Sequence, residues 1–299
     1  MRSALPPLLA LAMPLLAAAS APAERVVTGD GIHLARVGGV PIRLRIDPAV
    51  VSTPLITAAV AQRAGLKAGP YGAEYAVGPV IIGLRSAVTT FDSGTGEHKR
   101  RVAWTARPWS AGLDGVVGPG LLPEDTIRFQ LRPPRTGERT SSFPMVDQGG
   151  FGARLGERFA AVRYGTRTLR VKFDPHRAST VATAQAGTLI AARSRGHFAG
   201  SQESVEIAFG VKRPVRMLQL REPLVIGPLA ITRLAVRAQD FGSTAGISEA
   251  GADPDEIVVT GLKKQNLRYD QVTLGRGVLD RCSSITFARR ERRIHLRCS

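Results

Sequence analysis

One short pattern occurs twice in this chain and constrains its fold more than any other feature. It reads Arg43-Leu44-Arg45-Ile46-Asp47-Pro48-Ala49-Val50-Val51-Ser52-Thr53, and later Arg170-Val171-Lys172-Phe173-Asp174-Pro175-His176-Arg177-Ala178-Ser179-Thr180. Matching positions differ by 127, the step from Asp47 to Asp174, and Arg36 and Gly38 return at the same step as Arg163 and Gly165. In each copy apolar and cationic residues alternate up to the aspartate, the period of a strand with one face buried. A chain that repeats such a unit is expected to fold as two similar lobes. Two lobes can bring two strand-end acids together, and paired carboxylates in unequal surroundings are an acid–base device.

The repeat extends beyond the motif. Val26–Arg36 and Val40–Ile46 form an expected hairpin over Gly38-Gly39, followed by an Ala- and Leu-rich helical stretch over Pro54–Gly65. Strands are expected at Tyr75–Leu84, Ser86–Phe91, Arg100–Ala106 and Ile127–Leu131. In the second half Phe159–Phe173 repeats the hairpin, Ser179–Ala192 the helix, and Val205–Val211 and Val215–Leu220 are strands. Val272–Leu279 echoes Val116–Leu122, each leading into a strand. The expected organisation is a signal peptide at 1–23, a first lobe at 24–136, a linker at 137–157 rich in turn residues, and a second lobe at 158–299. An insertion at about 240–264 lengthens the second lobe.

The first residues read as an export signal. Met1-Arg2 is positive, Ala4–Ala19 is apolar but broken by Pro6, Pro7 and Pro14, and Ala21-Pro22-Ala23 offers a cleavage site. A periplasmic or secreted protein is expected, with no membrane span after cleavage. The only cysteines are Cys282 and Cys298, which in an oxidising compartment suggest a disulfide tying the last strands. The five histidines show no zinc spacing, and no metal site or cofactor is implied.

Net charge is +17. It suits either an anionic envelope surface as partner or a solvated strand face, since residues 43, 45, 170 and 172 are cationic at alternate positions. Aromatics make up only 5% of the chain and are not interleaved with the cations, which argues against nucleic-acid binding.

With its order of elements found twice, the chain resembles the retropepsin-like aspartic peptidases, in particular secreted bacterial forms with two retropepsin-like domains. The matching stretches are Ile46-Asp47 to Gly65 with Val116–Leu122, and Phe173-Asp174 to Ala192 with Leu274–Leu279. The resemblance implies a mainly β fold: two duplicated acid-protease β-barrel lobes in one chain with a central cleft. It implies a polypeptide substrate or peptide ligand, with Asp47 and Asp174 as the catalytic pair and Ser52, Ser179 and Phe91 near the substrate. The family's Asp-Thr-Gly has become Asp47-Pro48-Ala49 and Asp174-Pro175-His176. Proline has neither the hydroxyl nor the N–H with which the family's Thr cross-links the two loops. Arg177 is placed to pair with an aspartate. The alternative is a non-catalytic pseudopeptidase that binds an extended peptide or an envelope component in the same cleft.

Two further motifs invite other readings. Phe91-Asp92-Ser93-Gly94-Thr95-Gly96 resembles the family's Asp-Ser-Gly variant, but charged residues follow it. A polar hairpin tip is expected, lying where a substrate-covering flap would fall. Asp255–Gly261 resembles the Ton-box stretch of outer-membrane receptors and is expected to be an ordinary edge strand.

Overall fold

The computed structural model describes residues 24–147, 156–238, 240, 242–249 and 270–299. The signal segment 1–23, the Asp255–Gly261 motif, residues 148–155 of the linker and most of the 240–264 insertion lie outside the described residues.

The first half runs β1 (Glu24–Thr28), β2 (Ile32–Val37), β3 (Val40–Ile46), β4 (Leu55–Thr57), α1 (Ala58–Arg63), β5 (Ala73–Val77), β6 (Val80–Asp92), β7 (His98–Thr105), β8 (Gly115–Val117), a 3₁₀ turn (Pro119–Leu121) and β9 (Thr126–Gln130). After β10 (Arg139–Asp147), the second half repeats the order: β11 (Arg158–Tyr164), β12 (Arg167–Asp174), β13 (Val181–Ala182), α2 (Ala184–Ser194), β14 (Gly196–Ala208), β15 (Val211–Ile226), β16 (Leu229–Arg237), β17 (Ser248–Glu249), β18 (Gln271–Gly275), α3 (Arg276–Leu279), β19 (Cys282–Ala288) and β20 (Arg293–Cys298).

Strand pairing makes the duplication physical. In the first lobe β8 inserts between β3, which it meets in parallel, and β4, which it meets antiparallel; β4 in turn runs parallel to β7. In the second lobe β18 inserts between β12 (parallel) and β13 (antiparallel), and β13 runs parallel to β16. The hairpins β5–β6 and β14–β15 are counterparts. The first sheet also closes on itself, Val37 of β2 pairing with Phe91 of β6. The fold is therefore mainly β, with two related lobes in one chain, as expected.

The alternating motif explains why these strands lie where they do. Ile42, Leu44 and Ile46 of β3 and Leu169, Val171 and Phe173 of β12 are buried in one continuous core. Each such side chain contributes about 1.5–3 kcal/mol relative to exposure. Both helices start at a threonine: the Thr57 hydroxyl accepts from Val60 N (3.3 Å) and the Thr183 hydroxyl from Ala186 N (3.3 Å). The lobes share a platform in which β1, β9, β19, β20 and β10 pair in that order. Cys282 and Cys298 lie opposite each other on β19 and β20 and form a disulfide. No helix among the described residues is long and apolar enough to cross a membrane.

Several elements differ from expectation. Each helical stretch begins as a short strand, β4 and β13, because its apolar start is drawn into the sheet beside β8 or β18. The strand expected over Tyr75–Leu84 turns at Gly78-Pro79, and that over Val205–Val211 turns at Phe209-Gly210. Apolar residues on both sides of each turn hide it from a periodicity argument. The linker contains β10, whose Arg139–Pro144 pairs with β20. The cationic residues divide: Arg43 is exposed, but the Arg170 guanidinium lies 4.5 Å from the centre of the Phe159 ring and Lys172 pairs with Glu157 at 2.7 Å.

Candidate functional site

The inserted strands position the two acids. Asp47 follows β3, and its N–H donates to Val117 O on β8 (2.9 Å). Asp174 ends β12 opposite Gly275 of β18. Each inserted strand leads into a glycine over which the acid-bearing loop folds. A β-carbon on Gly118 would stand 2.1 Å from Val50 O, and one on Gly275 would stand 2.4 Å from Ser179 O. That close approach accounts for the glycines in the echoed motif.

Both Asp-Pro motifs make the same turn. Val50 N donates to Asp47 O (3.3 Å) and Arg177 N to Asp174 O (3.2 Å), with proline at the first central position, where its fixed φ suits a β-turn. Each side chain then accepts from its own turn: Asp47 Oδ1 from Ala49 N (2.8 Å), Asp174 Oδ1 from His176 N and Arg177 N (both 3.1 Å). Proline removes the N–H immediately after the acid, and the next one takes its place.

The surroundings then diverge. Asp47 is 4% exposed, and its loop through Ser52 is buried. Burial first, and the charge of Asp174 second, raise its pKa to about 7; the Ala49 N–H and the charges of Arg45 and Lys172 act in the opposite direction. Asp174 instead forms an ion pair, its Oδ2 accepting from Arg177 Nε (3.2 Å). The geometry thus offers a carboxyl group that keeps its proton to near neutrality beside a carboxylate held by a cation.

Counterpart hairpins pack against the Asp47 loop. Phe209 at the β14–β15 tip reaches the first lobe, its ring edge-to-face with Tyr75 (5.3 Å between centroids) and Trp109 (4.9 Å). Ala208, Phe209 and Val211 join Val50, Val51 and Leu113 in one apolar cluster. Arg177 reaches the same tip, donating to Glu206 O and Ile207 O (2.8 Å for the latter). Glu157 accepts from the Tyr75 hydroxyl (2.8 Å) and from Lys172 (2.7 Å). Burial, then the Glu157 charge, pushes the Tyr75 phenol well above its ordinary range.

The residues expected to flank a substrate fare differently. Asp47 and Asp174 are near enough for the Asp174 charge to raise the Asp47 pKa. Ser52 is buried, its hydroxyl donating to Gly156 O of the linker (2.9 Å). Ser179 is exposed and meets Gly275 through its backbone oxygen. Phe91 is a correction: it is 4% exposed in the main core, because its side chain faces inward from β6 where the first sheet closes. Asp92 does form the expected polar tip, accepting from the N–H groups of Gly94, Thr95 and Gly96 (2.7–3.1 Å). However, the hairpins packed against the Asp47 loop are β5–β6 and β14–β15. Sequence reasoning missed Tyr75, Glu157 and Phe209. Only Phe209 left a trace, as a large apolar residue before Gly210.

No protein family matches this sequence, and no curated protein matches it. Among solved structures, the aspartic proteinase from Irpex lacteus is similar over 90% of this chain and 94% of that one, at 11% identity and a TM-score of 0.41. The two related lobes described above stand on this chain's own strand pairings.

Proposed function

We propose that the chain is an exported, retropepsin-like peptidase with lobes at 24–136 and 158–299, in which Asp47 and Asp174 hydrolyse peptide bonds. The observation that supports this most is the raised pKa of Asp47, about 7, with burial and the Asp174 charge as its main causes. Two acids in such unequal surroundings divide into a donor and an acceptor. Asp174, ionised, takes a proton from a water whose oxygen attacks the peptide carbonyl carbon. Asp47 gives its proton to the carbonyl oxygen. In the second step Asp174 passes its proton to the amide nitrogen as the C–N bond breaks, and Asp47 recovers a proton from the resulting diol.

The test is hydrolysis of an unfolded protein substrate from pH 3 to 9. Asp47→Asn and Asp174→Asn should each lower the rate by about 10²–10⁴-fold. Full activity in either variant removes the dyad from the mechanism.

The Arg177 pair and the two prolines favour a second reading, a cleft that binds an extended peptide without cutting it. Saturable peptide binding by the native chain, with no turnover at any pH, would select it.

A further inference from the structure

Phe209 stands where turn chemistry does not ask for it. The two-residue turn between β14 and β15 has φ of +54° at Phe209 and +70° at Gly210, the pattern of a type I′ hairpin. That pattern favours Asn or Asp before Gly and strains a residue with a bulky side chain. The ring is nevertheless 3% exposed, because it is buried in the opposite lobe between Tyr75 and Trp109. It also forms one wall of a small pocket whose other walls include Trp104, Trp109, Leu84 and Leu113.

The docking is reciprocal. Gly78, at the β5–β6 tip, approaches the second lobe so closely that a β-carbon would stand 2.6 Å from Asp240 Oδ1 and 3.3 Å from Arg213 Nε. Arg177 ties one of these tips to the acids, holding Asp174 through Nε and the carbonyls of Glu206 and Ile207 through its terminal nitrogens.

We propose that the β14–β15 tip is an intramolecular plug: Phe209 fills an apolar subsite of the first lobe beside the Asp47 loop, Arg177 latches it, and a peptide must displace it with an aromatic or aliphatic side chain. The class of the displacing ligand rests on the peptide reading above; the docking itself does not. A tip whose backbone is strained, and whose anchors are one ring, two small apolar neighbours and the Arg177 latch, is suited to exchange with a competitor. Binding then carries the cost of the closed population, and apparent affinity falls by the fraction of molecules that are open.

Phe209→Asn separates plug from turn, since Asn suits this backbone and lacks the ring; Phe209→Gly serves if it folds poorly. Three measurements on the full chain follow. Amides of residues 207–211 should exchange about tenfold faster or more. Tryptophan fluorescence should shift to the red as Trp104 and Trp109 gain water. With Asp47→Asn present in both chains to stop turnover, a fluorescein-labelled peptide bearing Phe and Leu should bind about tenfold tighter to the plug variant. Exchange and affinity both unchanged within about twofold would overturn the plug. So would faster exchange with equal or weaker binding, which would make Phe209 part of the binding surface. Tighter binding with no cleavage by Phe209→Asn in the otherwise native chain supports the plug and overturns the peptidase reading alone.

Discussion

The two Asp-Pro loops have the same turn and opposite surroundings. Three residues after the acid, the first has Val50 and the second Arg177. Val50 is 1% exposed and packs with the hairpin tip of the other lobe, leaving Asp47 in an apolar setting. Arg177 turns back onto Asp174 and anchors that tip from beneath. One duplicated carboxylate therefore stands in two different surroundings. The turn is shared, and the residue three places on packs beside one acid and pairs with the other.

The sharpest way to break this comparison is to remove the proton that Asp47 retains. Its pKa stands at about 7 in the folded chain against an ordinary value of 3.8, so the folded state holds a proton that the unfolded state has lost. The stability tied to this group is fully present below the ordinary value and is lost as pH rises through about 7. Asp47→Asn should remove that dependence. The difference in unfolding free energy between native and variant, followed by urea titration, should change by about 4 kcal/mol from pH 4 to 8 in favour of the variant. A difference that does not vary with pH would show that Asp47 is an ordinary carboxylate.

Next in size is Arg177→Val, which gives the second loop the first loop's residue. It leaves Asp174 without its cation and unlatches the tip, and should cost about 2–4 kcal/mol. In the peptidase reading kcat/KM also falls, because the tip and the Asp174 carboxyl lose the group that positions both. An unchanged kcat/KM in a variant that has lost stability would separate Arg177 from the chemistry.

Lys172→Met tests a smaller contribution. Lys172 opposes the raised pKa of Asp47 and neutralises Glu157, so its loss should move the Asp47 midpoint further up, read by carboxyl NMR. A downward shift would reverse the assigned role. Thr57→Ala removes a helix cap and should cost about 1 kcal/mol in thermal unfolding; Thr183→Ala should cost more, because the Thr183 hydroxyl also bonds Gln271 of β18.

Much of this architecture is visible in the sequence because it repeats. Alternation in β3 and β12 locates the core strands, and Asp-Pro locates their ends. The Arg177–Asp174 pair is near enough in sequence to be anticipated. Tyr75, Glu157 and Lys172 are not: they belong to different elements, and only the docking of lobes brings a phenol, a carboxylate and an ammonium together. Phe91 misleads for a related reason. Its motif resembles an active-site loop, yet pairing of β2 with β6 turns the ring into the core.

By itself the sequence determined the duplication, the mainly β lobes, the two strand-end aspartates and the turn that aims each of them. These follow from periodicity, proline and neighbours within a few residues, which act before any long-range contact forms. Tertiary structure alone decided that Asp47 is buried within reach of the Asp174 charge, that Ser52 ties the first loop to the linker, and that Phe209 crosses to the other lobe. Burial and the approach of distant charges are properties of the packed chain, and those two quantities set how tightly Asp47 holds its proton.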